Sequence, residues 1–192
     1  SAGSEAGVRW IVDPLDGTTN FLHGIPYFAI SIALERDGEI VAGVVHDPIR
    51  DETFWADKGQ GAFQNDERIR VSGRRRIADA VVTTGIPHRG RGDHAAYLPQ
   101  LQRVMGTVAG IRRTGAAALD LAYVAAGRYD GFWEEGLAPW DLAAGLILGI
   151  GTVFAGEFDT ADLVRPGADN GIQHLAQTRD VADPDGNHVA GL

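Results

Sequence analysis

The spacing of apolar positions changes several times along the chain, and each change predicts a new element. Val8–Val12 (Val-Arg-Trp-Ile-Val) is a short, mostly apolar run that stops at Asp13-Pro14, the pattern of a buried strand entering a loop. Alternation then predicts strands over Phe28–Arg36, Glu39–His46, Thr53–Ala56, Ala62–Gln64 and Ile69–Val71. Between them stand turns at Asp37-Gly38, Lys58–Gly61 and Asn65-Asp66, the first being a strong hairpin signal. The stretch 28–71 therefore predicts an antiparallel meander.

Beyond it the period lengthens. Val81–Thr84 predicts a strand, and Leu98, Leu101, Val104 and Met105 give helical spacing to Ala95–Val108. Ile111–Arg113 is a brief extended piece, and Ala116–Ala126 is an Ala- and Leu-rich helix closed by Gly127. Tyr129–Glu134 predicts a strand, Pro139–Gly149 a helix with proline in its first turn, and Gly151–Phe154 a strand. From 156 to 192, Asp, Gly, Pro and Asn recur without a period, which predicts mostly loop. No fixed-period repeat appears, and 1–192 reads as a single domain.

The 192 residues are enough to bury a sizeable core, and 44% hydrophobic with 22% charged residues is the composition of a globular protein. A net charge of −9 argues against a general nucleic-acid binder, which needs a basic footprint. It leaves a phosphorylated substrate open, because carboxylate-bound cations can supply local positive charge. The lack of cysteine excludes disulfides, thiolate metal sites and a cysteine nucleophile. No apolar run is long enough to span a bilayer, and Ser1–Gly7 is small and polar rather than signal-like, so the default expectation is a cytoplasmic protein. The only methionine is Met105, so the sequence reads as a processed or partial chain.

The candidate chemistry lies in Asp13-Pro14-Leu15-Asp16-Gly17-Thr18-Thr19-Asn20. Two carboxylates three residues apart converge only if the backbone turns between them, and Pro14 and Gly17 favour that turn. The Leu15 carbonyl is then a third oxygen donor, a set suited to a hard cation such as magnesium. Gly17–Asn20 predicts backbone N–H groups at the start of a short helix, where phosphate oxygens bind, and the Thr18 hydroxyl is placed to orient a water. Asp-Pro and Asp-Gly are also ordinary turn formers. Downstream, Asp141 in Trp140–Gly145 is both a carboxylate for the same metal site and a helix-capping residue.

At these residues the chain resembles the inositol monophosphatase family of magnesium-dependent, lithium-sensitive phosphatases. The resemblance is carried by Trp10–Phe21 and Trp140–Gly145, with weaker matches at Gly59–Phe63 and Arg113–Ala117. It implies an α+β fold, a layered αβαβα sandwich whose N-terminal helical region is missing here. It implies Mg2+ as cofactor, with Asp13 bridging two ions, the Leu15 carbonyl on one, and Asp16 and Asp141 on the other. Gly17 and Thr18 would hold the phosphate, and Thr18 with Asp13 would act in catalysis by metal-activated water. Gly115, Ala116 and Glu134 would contact substrate hydroxyls, although Ala116 stands where the family often has threonine.

The implied reaction is hydrolysis of an inositol monophosphate or a related small polyol phosphate by a homodimer. Fructose 1,6-bisphosphate, a nucleotide bisphosphate and a non-catalytic regulatory role stay open as alternatives. Two features depart from the family. The usual Glu-Glu pair upstream of Asp13 is absent, Glu5 being too close to replace it, so low activity is expected of this chain alone. After Gly149 the chain reads Ile150-Gly151-Thr152-Val153, and 156–192 matches poorly.

Overall fold

The computed structural model describes residues 7–88 and 92–149, together with the backbone of 153–154. The first sheet is the predicted meander, extended by the strand before it. Its strands are β1 (Val8–Asp16), β2 (Ala29–Arg36), β3 (Glu39–Asp47), β4 (Glu52–Asp57), β5 (Gly61–Gln64) and β6 (Glu67–Arg68). They lie in sequence order, each antiparallel to the next. The β2–β3 turn has both Asp37 and Gly38 at positive φ, 53° and 83°, as a two-residue hairpin turn requires.

Among the described residues, four shorter strands make a second sheet: β7 (Val81–Thr84), β8 (Gly110–Arg112), β9 (Gly131–Trp133) and β10 (Val153–Phe154). All its pairings are parallel, in the order β10-β9-β7-β8. Helix α1 is a short turn (Thr18–Leu22), and α2 (His94–Met105), α3 (Ala117–Ala125) and α4 (Pro139–Ile147) are longer. Asp93 caps α2 by accepting from the N–H groups of Ala95 and Ala96.

Neighbouring residues of β9 show how the layers stack. Phe132 joins the core made by α3, α4 and the first sheet, while Trp133 joins Tyr97 and Val104 of α2. Successive strand side chains point to opposite faces, so α3 and α4 lie between the sheets and α2 covers the outer face of the second. Small residues permit the close approach of α4 to the first sheet. A Cβ on Gly43 would come within 2.4 Å of Ile147 Cγ2 and 3.0 Å of the Ala144 backbone. The layered α+β architecture is the one the resemblance implied.

Two predicted strands differ in extent. The predicted strand Ile69–Val71 is displaced: pairing falls on Glu67–Arg68, because the tight turn at Asn65 (φ 51°) puts Glu67 directly opposite Gln64. Strand β1 does not end at Val12 but continues through Asp16 across an irregularity. The region 156–192, Glu5, and the first two residues of the strand predicted at Gly151–Phe154 lie outside the described residues.

Candidate active site

In a regular strand, residues three apart face opposite sides, so Asp13 and Asp16 would diverge. Here Asp13 pairs with Ser31 and Asp16 with Ala29: three residues of β1 span two of β2. The extra residue is a β-bulge at Pro14-Leu15, and it returns both carboxylates to one face. The sequence predicted a turn between the aspartates; the convergence comes from a bulge within a continuing strand.

Asp141, in the first turn of α4, completes the group, since α4 lies across β1, β2 and β3. Carboxylate oxygens of Asp13, Asp16 and Asp141 lie within 4.8 Å of one another. One oxygen of each accepts a backbone N–H: Leu15 to Asp13 at 3.0 Å, Ala118 to Asp16 at 2.8 Å, and Ala138 to Asp141 at 2.8 Å. The side chains are thereby fixed before any ligand arrives.

Burial pushes the Asp16 carboxyl up to about 7, and the charges of Asp13, Asp141 and Asp120 add to the rise. The Ala118 N–H, at the start of α3, opposes it. Among the described residues no cationic side chain pairs with Asp13 or Asp16. Clustered carboxylates of this kind are stabilised by a bound cation. The donors are all oxygens, which fits a hard divalent ion rather than a thiophilic one.

Gly17 follows the bulge at φ 85°, in the left-handed region, and starts α1. A Cβ there would lie 3.1 Å from both the Tyr27 carbonyl and Ala116 Cβ, so glycine is needed for conformation and for space. Helix α1 has its first internal bond from the Phe21 N–H to the Gly17 carbonyl at 3.0 Å. The Thr18 hydroxyl donates to the Leu15 carbonyl at 2.9 Å, tying the bulge to the helix. Buried Asn20 anchors α1 by donating to the carbonyls of Tyr27 (2.6 Å) and Thr114 (2.9 Å).

These groups open into a cleft of about 340 Å³, within the range of small-ligand sites. Asp13, Leu15, Asp16, Gly17, Thr18, Gly115, Glu134 and Asp141 all line it. Ala116 does not: it is buried, with its side chain supporting Gly17 from below, and Ala117 lines the cleft instead. The rest of the lining includes Gly85–His88, Arg113 and Glu135, which sequence reasoning missed. These residues follow β7, β8 and β9 directly, so they come together at the carboxyl ends of parallel strands, where α/β sheets bind ligands. Alternation of parallel strands was the available signal, but three- and four-residue strands express it weakly.

Beneath the cleft, buried Asp120 accepts hydrogen bonds from Tyr27 (2.6 Å), Thr83 (3.1 Å) and Thr114. Burial lifts its carboxyl to about 6, and the three hydroxyl donors hold it from going higher. This network joins β7, α3 and the loops on either side of the cleft. The sequence offered no sign of it, since Asp120 stands within an otherwise apolar helix.

Residues 1–150 match the model of the inositol monophosphatase family. The chain is similar to the protein named Inositol-1-monophosphatase of Rhizobium meliloti, 66% identical over 146 residues that cover 76% of this chain and 55% of that protein. It is also similar to Nus factor SuhB of Escherichia coli K12, 48% identical with coverage of 76% and 55%. Among solved structures it is similar to the extragenic suppressor protein suhB from Bartonella henselae, with 62% identity and a TM-score of 0.74, covering 76% of this chain and 56% of that one. The chain spans just over half the length of these relatives.

Proposed function

The chain belongs to the inositol monophosphatase family, and we propose that it carries most of the active site of a magnesium-dependent phosphomonoesterase acting on inositol monophosphate or a similar small polyol phosphate. The observation that carries this reading is the convergence of Asp13, Asp16 and Asp141 within 4.8 Å at the wall of a ligand-sized cleft.

Asp13, Asp16 and Asp141 would hold the metal, with the second lone pair of the Leu15 carbonyl as a further donor. When bound, Mg2+ supplies the positive charge that offsets the phosphate ester's negative charge and makes a nearby water more acidic. The remaining steps rest on the chain's own groups. The Thr18 hydroxyl donates its proton to the Leu15 carbonyl, so its oxygen accepts a hydrogen bond from the attacking water and orients it. The N–H groups of Gly17, Thr18 and Thr19 precede the first bond of α1 and donate to phosphate oxygens. Gly115 borders the polyol ring with its backbone, and Glu134 accepts from a ring hydroxyl. Preorganised donors of this kind stabilise the transition state without having to reorient.

The test is release of inorganic phosphate from inositol 1-phosphate with and without Mg2+. Turnover that requires Mg2+ and is lost in Asp13→Asn supports the reading. Measurable release that is equal in wild type and Asp13→Asn would sink it. Relatives named Nus factor SuhB favour a second reading, a regulatory interaction protein of the same fold. Under that reading Asp13→Asn leaves the cellular role intact.

A further inference from the structure

Asp120 is the one ionisable carboxyl in α3, whose other residues are alanine, leucine, valine and tyrosine, all buried. A carboxylate in such a helix is costly unless its oxygens are satisfied, and an apolar side chain would fill the same place without that cost. The groups that satisfy Asp120 converge on two residues that a second side chain also holds. Its Oδ1 accepts from the Tyr27 hydroxyl at 2.6 Å and from the Thr114 hydroxyl. From α1, Asn20 Nδ2 donates to the backbone carbonyls of the same two residues, at 2.6 Å and 2.9 Å. Tyr27 follows α1 and Thr114 follows β8, so four hydrogen bonds close a clamp between the two loops. Thr83 of β7 donates to Oδ2 at 3.1 Å.

The clamp reaches both sides of the cleft, although Asp120 itself does not line it. Gly17 leans on one arm: a Cβ there would lie 3.1 Å from the Tyr27 carbonyl that Asn20 holds. Gly115 leans on the other, with Asn20 Nδ2 3.3 Å from where its Cβ would be. The same turn of α3 supplies the Ala118 N–H to Asp16. The start of α1, the Gly115 segment and one carboxylate of the acidic group are therefore all set from the beginning of α3.

We propose that Asp120 is a positioning residue: through the clamp it shares with Asn20, it aligns the anion-binding start of α1 with the Gly115 segment. This rests on the phosphatase reading of the same cleft.

The experiment compares wild type with Asp120→Leu, Asp120→Asn and Tyr27→Phe. Leucine and asparagine both remove the charge, but asparagine keeps Oδ1 as an acceptor for Tyr27 and Thr114, so the difference between them reports the clamp. Tyr27→Phe removes one arm and keeps the aromatic ring. Four quantities are measured: phosphate release from inositol 1-phosphate, calorimetric binding of inorganic phosphate with Mg2+ present, Mg2+ affinity, and amide exchange of Phe21 and His23 in the metal-free protein. Those two N–H groups carry the internal bonds of α1. Misalignment should lower kcat/KM by about tenfold to hundredfold in Asp120→Leu and by less in Tyr27→Phe. Phosphate affinity should fall and amide exchange rise in the same order. Asp120→Asn should stay within about threefold of wild type. Mg2+ affinity should stay within about twofold throughout, because backbone N–H groups hold Asp13, Asp16 and Asp141. Wild-type kinetics and exchange in Asp120→Leu overturn the proposal, leaving Asp120 a merely structural role. So does a loss shared equally by Asp120→Leu and Asp120→Asn, or one matched by lost Mg2+ affinity. If Asp120→Leu does not fold, Tyr27→Phe decides by the same criteria. If wild type releases no phosphate, the phosphatase reading fails, and phosphate affinity and amide exchange decide the role of Asp120.

Discussion

The acidic wall of the cleft and the wall made by strand ends solve the same problem, placing polar groups around a ligand, in different ways. The first uses few chain segments: the bulge in β1 supplies Asp13 and Asp16, and α4 supplies Asp141. Each carboxylate is held by a backbone N–H, so its position survives as long as the strand and the helices do. The second wall draws on the ends of β7, β8 and β9, and its charged side chains are longer. A rigid wall suits groups that must hold charge at a fixed point, and an adaptable wall suits recognition of the part of the substrate that varies.

That contrast predicts unequal mutational effects. Asp13→Asn or Asp141→Asn should lower kcat by about 10²–10³-fold or more, as expected for losing preorganised electrostatic stabilisation. Glu134→Ala should act mainly on KM, raising it by about tenfold for one lost hydrogen bond to the substrate. Steady-state kinetics on the three variants checks both, and a kcat collapse in Glu134→Ala would erase the distinction between the walls.

The network beneath the cleft tests the same contrast through stability. Asp120 has a folded-state pKa raised to about 6, so the folded protein binds its proton more tightly than the unfolded chain does. Stability from this group is therefore present at low pH and is lost as pH rises from about 4 to about 6, by an amount on the order of 3 kcal/mol. Asp120→Asn should flatten that part of the profile, measured by urea denaturation of the metal-free protein from pH 4 to 8.

Gly17→Ala should cost about 2 kcal/mol, from strain at positive φ and from contact with Tyr27 and Ala116. The same denaturation experiment reads it, and a neutral result would mean that the start of α1 adapts. The smallest effect concerns cation uptake, which must displace the proton that Asp16 holds up to about 7. Each pH unit below that value should weaken Mg2+ binding by up to about tenfold. Calorimetric titration between pH 6 and 8 should show the dependence level off above 7.

Much of the first sheet was legible because each strand carries its own alternation and each turn its own residues, as Asp37-Gly38 and Asn65-Asp66 show. The acidic site was legible for a related reason. Its residues sit in two contiguous strings, Asp13–Asn20 and Trp140–Gly145, whose composition is specific enough to carry a family resemblance. Glu135 and the loop Gly85–His88 had no such context, lying just beyond short strands, and Arg113 stood only at the edge of a weak match. Ala116 lies in the core and Ala117 at the cleft, since a one-residue shift at the start of a helix decides which way a side chain faces.

The sequence by itself determined the acidic string, the glycine after it and the periodicities of the elements that carry them, because these depend on neighbours along the chain. Tertiary structure decided how the carboxylates meet. A bulge, visible only in the pairing of β1 with β2, brings Asp13 and Asp16 to one face, and the packing of α4 on Gly43 brings Asp141 to them. Register and helix docking depend on contacts between residues far apart in sequence, which no local pattern encodes.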